Sequence, residues 1–253
     1  MLGAAFAASG QGAPTPPPFA PGERLTYSVT WAVFHAGQVT ASLQSIQDGS
    51  QDAYRVVTQA QSQGFVSLLF DVSDTFRSEF NPQTMCSYRI SKVINEGRRH
   101  KVTNIVFDSK TKEAILTETD PGKPHAPPKH ATNQIPSCVE DVVSAFYYVR
   151  RQPLHVGEVI HIPVNDGSKT YDVDAHVQAL EMIHTALGDR KAFRVQPEVF
   201  NGLLRRKGQM LIWFSDGPQH FPLRIKATIR LIGTITGDLT SVSSVPPQAA
   251  SSH

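Results

Sequence analysis

The stretch TYDVDAHVQ, Thr170–Gln178, alternates strictly: Tyr171, Val173, Ala175 and Val177 fall on one face, and Asp172, Asp174 and His176 on the other. Successive strand side chains point to opposite faces, so this pattern predicts a strand with one face buried. The same period recurs along most of the chain. In RLTYSVTW, Leu25, Tyr27, Val29 and Trp31 share a face against Thr26, Ser28 and Thr30. VTASLQSI, AYRVVTQAQ, DTFRSEF, CSYRISKVI, HKVTNIVFD and EAILTET continue the meander before EVIHIPV, KAFRVQPEVF, GQMLIWFS and PLRIKATIRLIGTITGDLTSV. Turn signals such as HAGQ (His35–Gln38), QDGSQD, NPQT, NEGR, NDGS and LGDR separate the strands at the spacing of an all-β sandwich or barrel. GFVSLLFDV (Gly64–Val72) does not alternate and reads as a short helix or a buried strand. Asp120–Pro136, rich in proline and poor in apolar residues, reads as a surface loop or flap.

One segment breaks the period. SCVEDVVSAFYYVRRQP opens with Ser137 as an N-cap and Glu140 three residues on, the pattern of a capping box. Val139, Val142, Val143, Phe146, Tyr147 and Val149 then form an apolar stripe at helical spacing. Arg150 and Arg151 suit a helix C-terminus, and Pro153 ends it. Asp141 reads as a residue that stabilises the helix start. A main amphipathic helix is expected over about 138–151. Its flanks echo each other in order, GERLTYSV and AYRVVTQA before it, GEVIHIPV and AFRVQPEV after it; two curved half-sheets on either side of the helix, or the general likeness of any two β-meanders, would account for this.

Several function classes find no support. The formal net charge is +2, and the basic clusters Arg98–Lys101 and Arg205–Lys207 are short, so nucleic acid is not expected as a partner. No apolar run reaches the length of a membrane span. Ten histidines are present without His-x-His, HExxH or CxxC; His125 and His130 fall in the proline-rich loop, and His155 and His161 lack a third ligand nearby, so no metal and no cofactor are expected. GTITG lacks the lysine and the helix of a phosphate-binding loop. Asp141, Ser144 and His220 could be drawn as a hydrolase triad, but no GxSxG elbow surrounds any serine. The reading is non-enzymatic.

What remains is apolar binding. Trp31, Phe34, Phe65, Leu68, Leu69, Phe70, Phe146, Tyr147 and Trp213 are the candidates for the wall or lid of a cavity, although any one of them alone reads as core. The two cysteines, Cys86 and Cys138, form either one disulfide closing a long loop or two separate buried thiols. Ala5-Phe6-Ala7-Ala8 resembles the cleavage end of an export signal, against the simpler reading of an Ala/Gly/Pro tail.

FAPGERLTYSVTWAVFHAGQVTASL, CVEDVVSAFYYVRRQPLHVGE, FRVQPEV and LIWFSDGPQHFPLRIK together resemble the DUF3108 family, bacterial proteins that usually carry export signals and have no assigned function. The resemblance runs from Phe19 to Leu239. WFSDGPQHFPLRIK is also similar to the closing strands of the lipoprotein-carrier (LolA/LolB-like) folds, in which a curved sheet surrounds an apolar cavity. The expected fold is mainly β, a curved antiparallel sheet forming an open barrel or two fused half-barrels. Its expected parts are a disordered leader or signal remnant (1–18), an N-terminal β half (19–135), a linking helix (136–153), a C-terminal β half (154–243) and a disordered tail (244–253). The expected function is that of an exported periplasmic or envelope protein binding a lipid or lipoprotein acyl chain under the helix and the Gly64–Val72 segment. The alternative is a structural or protein-interaction module of the envelope with a filled core.

Overall fold

The computed structural model describes residues 16–49, 51–199, 208–230 and 232–244, apart from the side chains of Leu69 and Val199. The leader up to residue 15, the cluster Arg205–Lys207 and the tail beyond residue 244 lie outside the described residues. The first half runs β1 (Glu23–Trp31), β2 (Phe34–Asp48), β3 (Gln51–Ser62), α1 (Gly64–Leu69), β4 (Ser73–Phe80), β5 (Ser87–Glu96), β6 (Arg99–Asp108), β7 (Glu113–Thr119) and β8 (Lys129–Gln134). After α2 (Ser144–Arg151) come β9 (Val159–Asn165), β10 (Thr170–Thr185), β11 (Gly188–Val199), β12 (Gly208–Ser215), β13 (Pro222–Ile229) and β14 (Gly233–Ser244).

All fourteen strands lie in one sheet, ordered β8-β7-β6-β5-β4-β3-β2-β1-β14-β13-β12-β11-β10-β9. Every neighbouring pair is antiparallel, as hairpin connections between short alternating strands require. Two meanders meet where β1 pairs with β14, Tyr27 opposite Leu239. The sheet curls until its free edges, β8 and β9, approach each other without forming a ladder. Asn165 Nδ2 donates to Asn133 Oδ1 at 2.7 Å, and Asn133 Nδ2 donates to the Gly167 carbonyl at 2.9 Å. Gly167, at φ +97°, lets the β9–β10 turn fold onto the opposite side of the seam. A Cβ there would lie 2.5 Å from Leu116 Cδ1 and 2.7 Å from Ile105 Cδ1. The result is an open barrel with its seam laced by side chains.

The segment before α2 fills the rest of the seam. Glu140 donates its amide to the Pro163 carbonyl and accepts from the Asn165 amide, both at 2.8 Å, while Ser87 donates to the Val139 carbonyl at 2.9 Å. Residues 137–143 therefore form a strap between β5 and β9, and the helix expected from about residue 138 begins only at Ser144. The capping box does not form. Three backbone hydrogen bonds, burial of Val139 with Ile90 and Ile105, and the bond from Cys138 to Cys86 hold the chain extended where local propensity favours a helix. Asp141 caps the turn instead, its Oδ1 accepting from the amides of Val143 at 2.7 Å and Ser144 at 3.1 Å.

Two other boundaries differ from expectation. The β1–β2 turn falls at Ala32–Val33, and His35–Gln38 lies within β2 beside a bulge. The polar, proline-flanked segment 129–134 is a strand rather than loop, because β8 is an edge that needs no apolar face pattern to pair with β7. Gly64–Val72 resolves into the helix α1 followed by an extended exit.

Candidate functional site

α2 lies inside one end of the barrel. Its C-terminal turn is tied there by Arg150, only 1% exposed, whose guanidinium forks onto Glu23 at 2.6 and 2.8 Å and donates from Nε to the Gln219 carbonyl at 3.1 Å. Phe19, Tyr147 and Phe221 surround that guanidinium at 5.0 to 5.3 Å. Arg151 reaches the carbonyls of Pro82 and Gln83. At its other end α2 is anchored by a buried polar knot. Asp141 Oδ2 accepts from Ser78 at 2.6 Å and from Ser87 at 3.0 Å, and Ser87 meets Ser144 at 2.7 Å. Burial raises the Asp141 carboxyl above its usual range against the pull of these donors.

Glu140 sits beside the knot. It is 1% exposed, and neither carboxylate oxygen has a hydrogen-bond partner. Burial, opposed by the neighbouring Ser144 hydroxyl and helped by the Asp141 charge, pushes its carboxyl up to about 8, so the buried group is mostly protonated at neutral pH.

Between these anchors α2 wedges apart two partly open apolar chambers. The first, about 280 Å³, lies between α2 and β9–β12, where Ile162, Val173, Ala175, Val195, Met210 and Ile212 face Ala145, Phe146 and Val149. The second, about 310 Å³, lies between α2 and β1, β2, β13 and β14, with Leu25, Tyr27, Val39, Ile225 and Ile235 facing Val143, Phe146, Tyr147 and Arg150. Val142 and Phe146, one helical turn apart, line both chambers. The alternating faces of β1 and β10 explain the apolar walls: Leu25, Tyr27 and Val29, like Tyr171, Val173 and Ala175, point inward.

Of the residues singled out from the sequence, Phe146 and Tyr147 come to these chambers. Trp213 does not; its neighbours Ile212 and Phe214 do, while its indole donates to Glu181 at 2.7 Å and packs with Ile183, Leu223 and Leu239. Trp31 donates to the Ile232 carbonyl at 2.8 Å. Phe34, Phe65, Leu68 and Phe70 are exposed, Leu68 at 83% and Phe65 at 67%. They sit where the β1–β2 and β5–β6 hairpins turn, held by Gln63 donating to Ala36 and Gly97 donating to Asp71. Among the described side chains of Gly64–Val72 none lines either chamber, because α1 is a short helix of which Val66 is buried while Phe65 and Leu68 are exposed. The Leu69 side chain lies outside the described ones.

Cys86 and Cys138 are joined in a disulfide, Cα atoms 5.0 Å apart across a sequence separation of 52. The triad drawn from Asp141, Ser144 and His220 is not assembled: Ser144 belongs to the knot, while His220 meets the Arg150 carbonyl at the far end of α2. Among the described residues no group of three or more His, Cys, Asp or Glu could hold a metal ion, and no helix is long and apolar enough to cross a membrane. Sequence reasoning missed Glu23, Arg150 and Glu140 as interior residues. Arg150 had a signal, since it follows Val143 and Tyr147 at i+7 and i+3 and so shares their buried face.

Among solved structures the fold is similar to a β-barrel-like protein of the domain of unknown function DUF1849 from Brucella abortus. The two are 6% identical and align over 88% of this chain and 98% of that one at a TM-score of 0.56. A protein with a YmcC-like fold from Bacteroides fragilis is 7% identical, aligned over 92% of this chain and 100% of that one, at a TM-score of 0.38. The first likeness shows the barrel-like fold and nothing of function. No curated protein matches the chain. The family described as a protein of unknown function, DUF3108, matches residues 26–240, and the chain belongs to that family.

Proposed function

We propose that this protein binds an apolar ligand, a lipid or a lipoprotein acyl chain, in the two chambers beneath α2, and that it does so in the bacterial envelope, outside the cytoplasm. The pair of apolar chambers divided by Phe146 carries this reading. Each is near the lower bound of the roughly 300–1,000 Å³ usual for ligand sites, suited to a chain rather than a bulky ring system. An alkyl chain gains roughly 0.8 kcal/mol per CH₂ removed from water, so ten carbons offer about 8 kcal/mol before the cost of association. The Cys86–Cys138 disulfide supports the compartment, because such bonds persist where the surroundings are oxidising.

The opposing reading is an envelope interaction module with no ligand, favoured by the exposed Phe34, Phe65, Leu68 and Phe70. Native mass spectrometry of the purified protein, followed by titration with the fluorescent apolar probe N-phenylnaphthylamine, separates the two. Bound lipid, or saturable uptake of the probe that Phe146→Asp abolishes while the far-ultraviolet circular dichroism is unchanged, is the expected result. A ligand-free protein that takes up no probe would sink the carrier reading.

A further inference from the structure

The exposed apolar residues are not scattered. Half of the large apolar side chains left exposed among the described residues, Val33, Phe34, Phe65, Leu68, Phe70 and Ile232, stand on adjoining turns of the sheet. The Ala32 amide donates to the Thr234 carbonyl and the Trp31 indole to the Ile232 carbonyl, both at 2.8 Å, which joins the β1–β2 turn to the β13–β14 turn. The Gln63 amide, donating to Ala36, joins α1 to the same hairpin, and the Gly97 amide, donating to Asp71, joins its exit to the β5–β6 turn. Val33 and Leu68, 86% and 83% exposed, stand proud of their turns, so a partner protein would meet separate points rather than a groove. Of the acidic groups on these turns, Glu96 is held by Arg99 at 2.8 Å, Asp71 accepts from Ser62 at 3.3 Å, and Asp74 is buried and accepts from the Asn95 amide. The charges left exposed there without a partner among the described residues are cationic, Arg98 and Arg230. The second chamber runs toward the same turns: its wall includes Val29 and Ile235, and Ile235 lies opposite Trp31, the last residue of β1.

We propose that these turns dock on an anionic phospholipid bilayer, with Val33, Phe65 and Leu68 entering the interface and Arg98 and Arg230 meeting the phosphates. Projecting apolar side chains flanked by cations suit a fluid, negatively charged surface, which needs no matching shape and attracts each nearby cation. The docking goes beyond the carrier reading and does not depend on it. Where a chain occupies the second chamber, the end marked by Val29 and Ile235 would face the bilayer that supplies or receives it.

The test is co-sedimentation with vesicles of phosphatidylethanolamine and phosphatidylglycerol and, separately, with vesicles of phosphatidylcholine. The wild type should bind the anionic vesicles more tightly. Leu68→Asp should bind them at least about tenfold more weakly, the loss of one leucine side chain that no longer leaves water. Its thermal midpoint and its uptake of N-phenylnaphthylamine should be unchanged, because Leu68 is exposed and lines neither chamber. Arg98→Gln combined with Arg230→Gln should bind the anionic vesicles about thirtyfold more weakly and phosphatidylcholine as the wild type does. Trp213 is buried, so a blue shift of tryptophan emission on adding vesicles reports Trp31. The docking is refuted if the wild type binds neither kind of vesicle, if Leu68→Asp binds as the wild type does, or if the arginine pair has no effect on the anionic vesicles. It is refuted equally if the wild type sediments as an oligomer that Leu68→Asp turns into a monomer, which would assign the turns to a second copy of this chain. Probe uptake without vesicle binding sinks the docking alone, and vesicle binding without probe uptake sinks the carrier reading alone.

Discussion

Glu140→Gln isolates the electrostatic cost of the seam. The carboxyl lies within the strap that joins β5 to β9, without a hydrogen-bond partner, and titrates at about 8 against 4.5 for the free side chain. Between those two values the unfolded chain has lost the proton and the folded protein keeps it. The folded state therefore binds more protons, and stability falls as pH rises, by about 1.4 kcal/mol per unit. Across the window of 3.5 units, from 4.5 to 8, the loss reaches at most about 5 kcal/mol. Gln cannot ionise, so the variant escapes this loss while carrying a constant cost for its own unpaired amide. Asp141 and Lys92 are also shifted, mainly by burial, but both proteins contain them, and they cancel from the difference to first order. Urea unfolding followed by tryptophan fluorescence, with the disulfide intact, at pH 4.5 and pH 9 reads the result. The variant should gain several kcal/mol relative to the wild type between the two. A difference that is the same at both pH values would refute the argument, showing that Glu140 finds water or a partner that stabilises its charge.

Three further outcomes follow from particular contacts. Reducing the disulfide, or replacing Cys86 and Cys138 by Ser, should cost about 4 kcal/mol by the chain-entropy model for a loop of this length, read as a fall in the urea midpoint. Gly167→Ala should cost about 2–4 kcal/mol, from the positive φ and from overlap with Leu116 and Ile105; an unchanged thermal midpoint would mean that the β9–β10 turn does not close the seam. Glu23→Gln should cost about 3–5 kcal/mol by leaving the Arg150 charge buried and unmatched, and a milder effect in the double variant with Arg150→Met would identify the pair as the cause.

The strand pattern was legible because burial in a one-sided sheet acts residue by residue, as Tyr171, Val173 and Ala175 show. The edge strand β8 was not, since an edge is made by backbone pairing and leaves no apolar period in KHATNQ. The helix was legible as a helix but not in its start. Ser137 and Glu140 match a capping box locally, whereas the fold uses the backbone of Val139 and Glu140 to bridge β5 and β9, a pairing between positions far apart in sequence. The chambers were legible in part. Aromatic residues drew attention, and Phe146 and Tyr147 do reach the chambers, yet the walls are mostly Val, Ile and Ala from eight different strands, residues that look like ordinary core one strand at a time. Phe65 and Leu68 misled for the opposite reason: their hydrophobicity says they prefer burial, and α1 gives them nothing to be buried against.

The chambers follow from the number of strands. A barrel of about eight strands has an interior that its own side chains fill, and the interior widens roughly in proportion as strands are added. A fourteen-stranded sheet curled until β8 and β9 are laced together encloses more space than inward-facing Val, Ile and Ala can occupy. One helix of eight residues enters that space, and the strap determines where. Had residues 137–143 joined the helix, the backbone bonds that tie β5 to β9 would have been lost. The extended strap thus ties β5 to β9 and shortens the helix in one step. The buried knot of Asp141 with Ser78, Ser87 and Ser144 fixes the junction between them, at the cost of stranding Glu140. The apolar space beneath α2 is in this sense a consequence of how the barrel is closed, and a substitution that strengthens the expected capping box at the expense of the strap should lower stability even though it favours the helix.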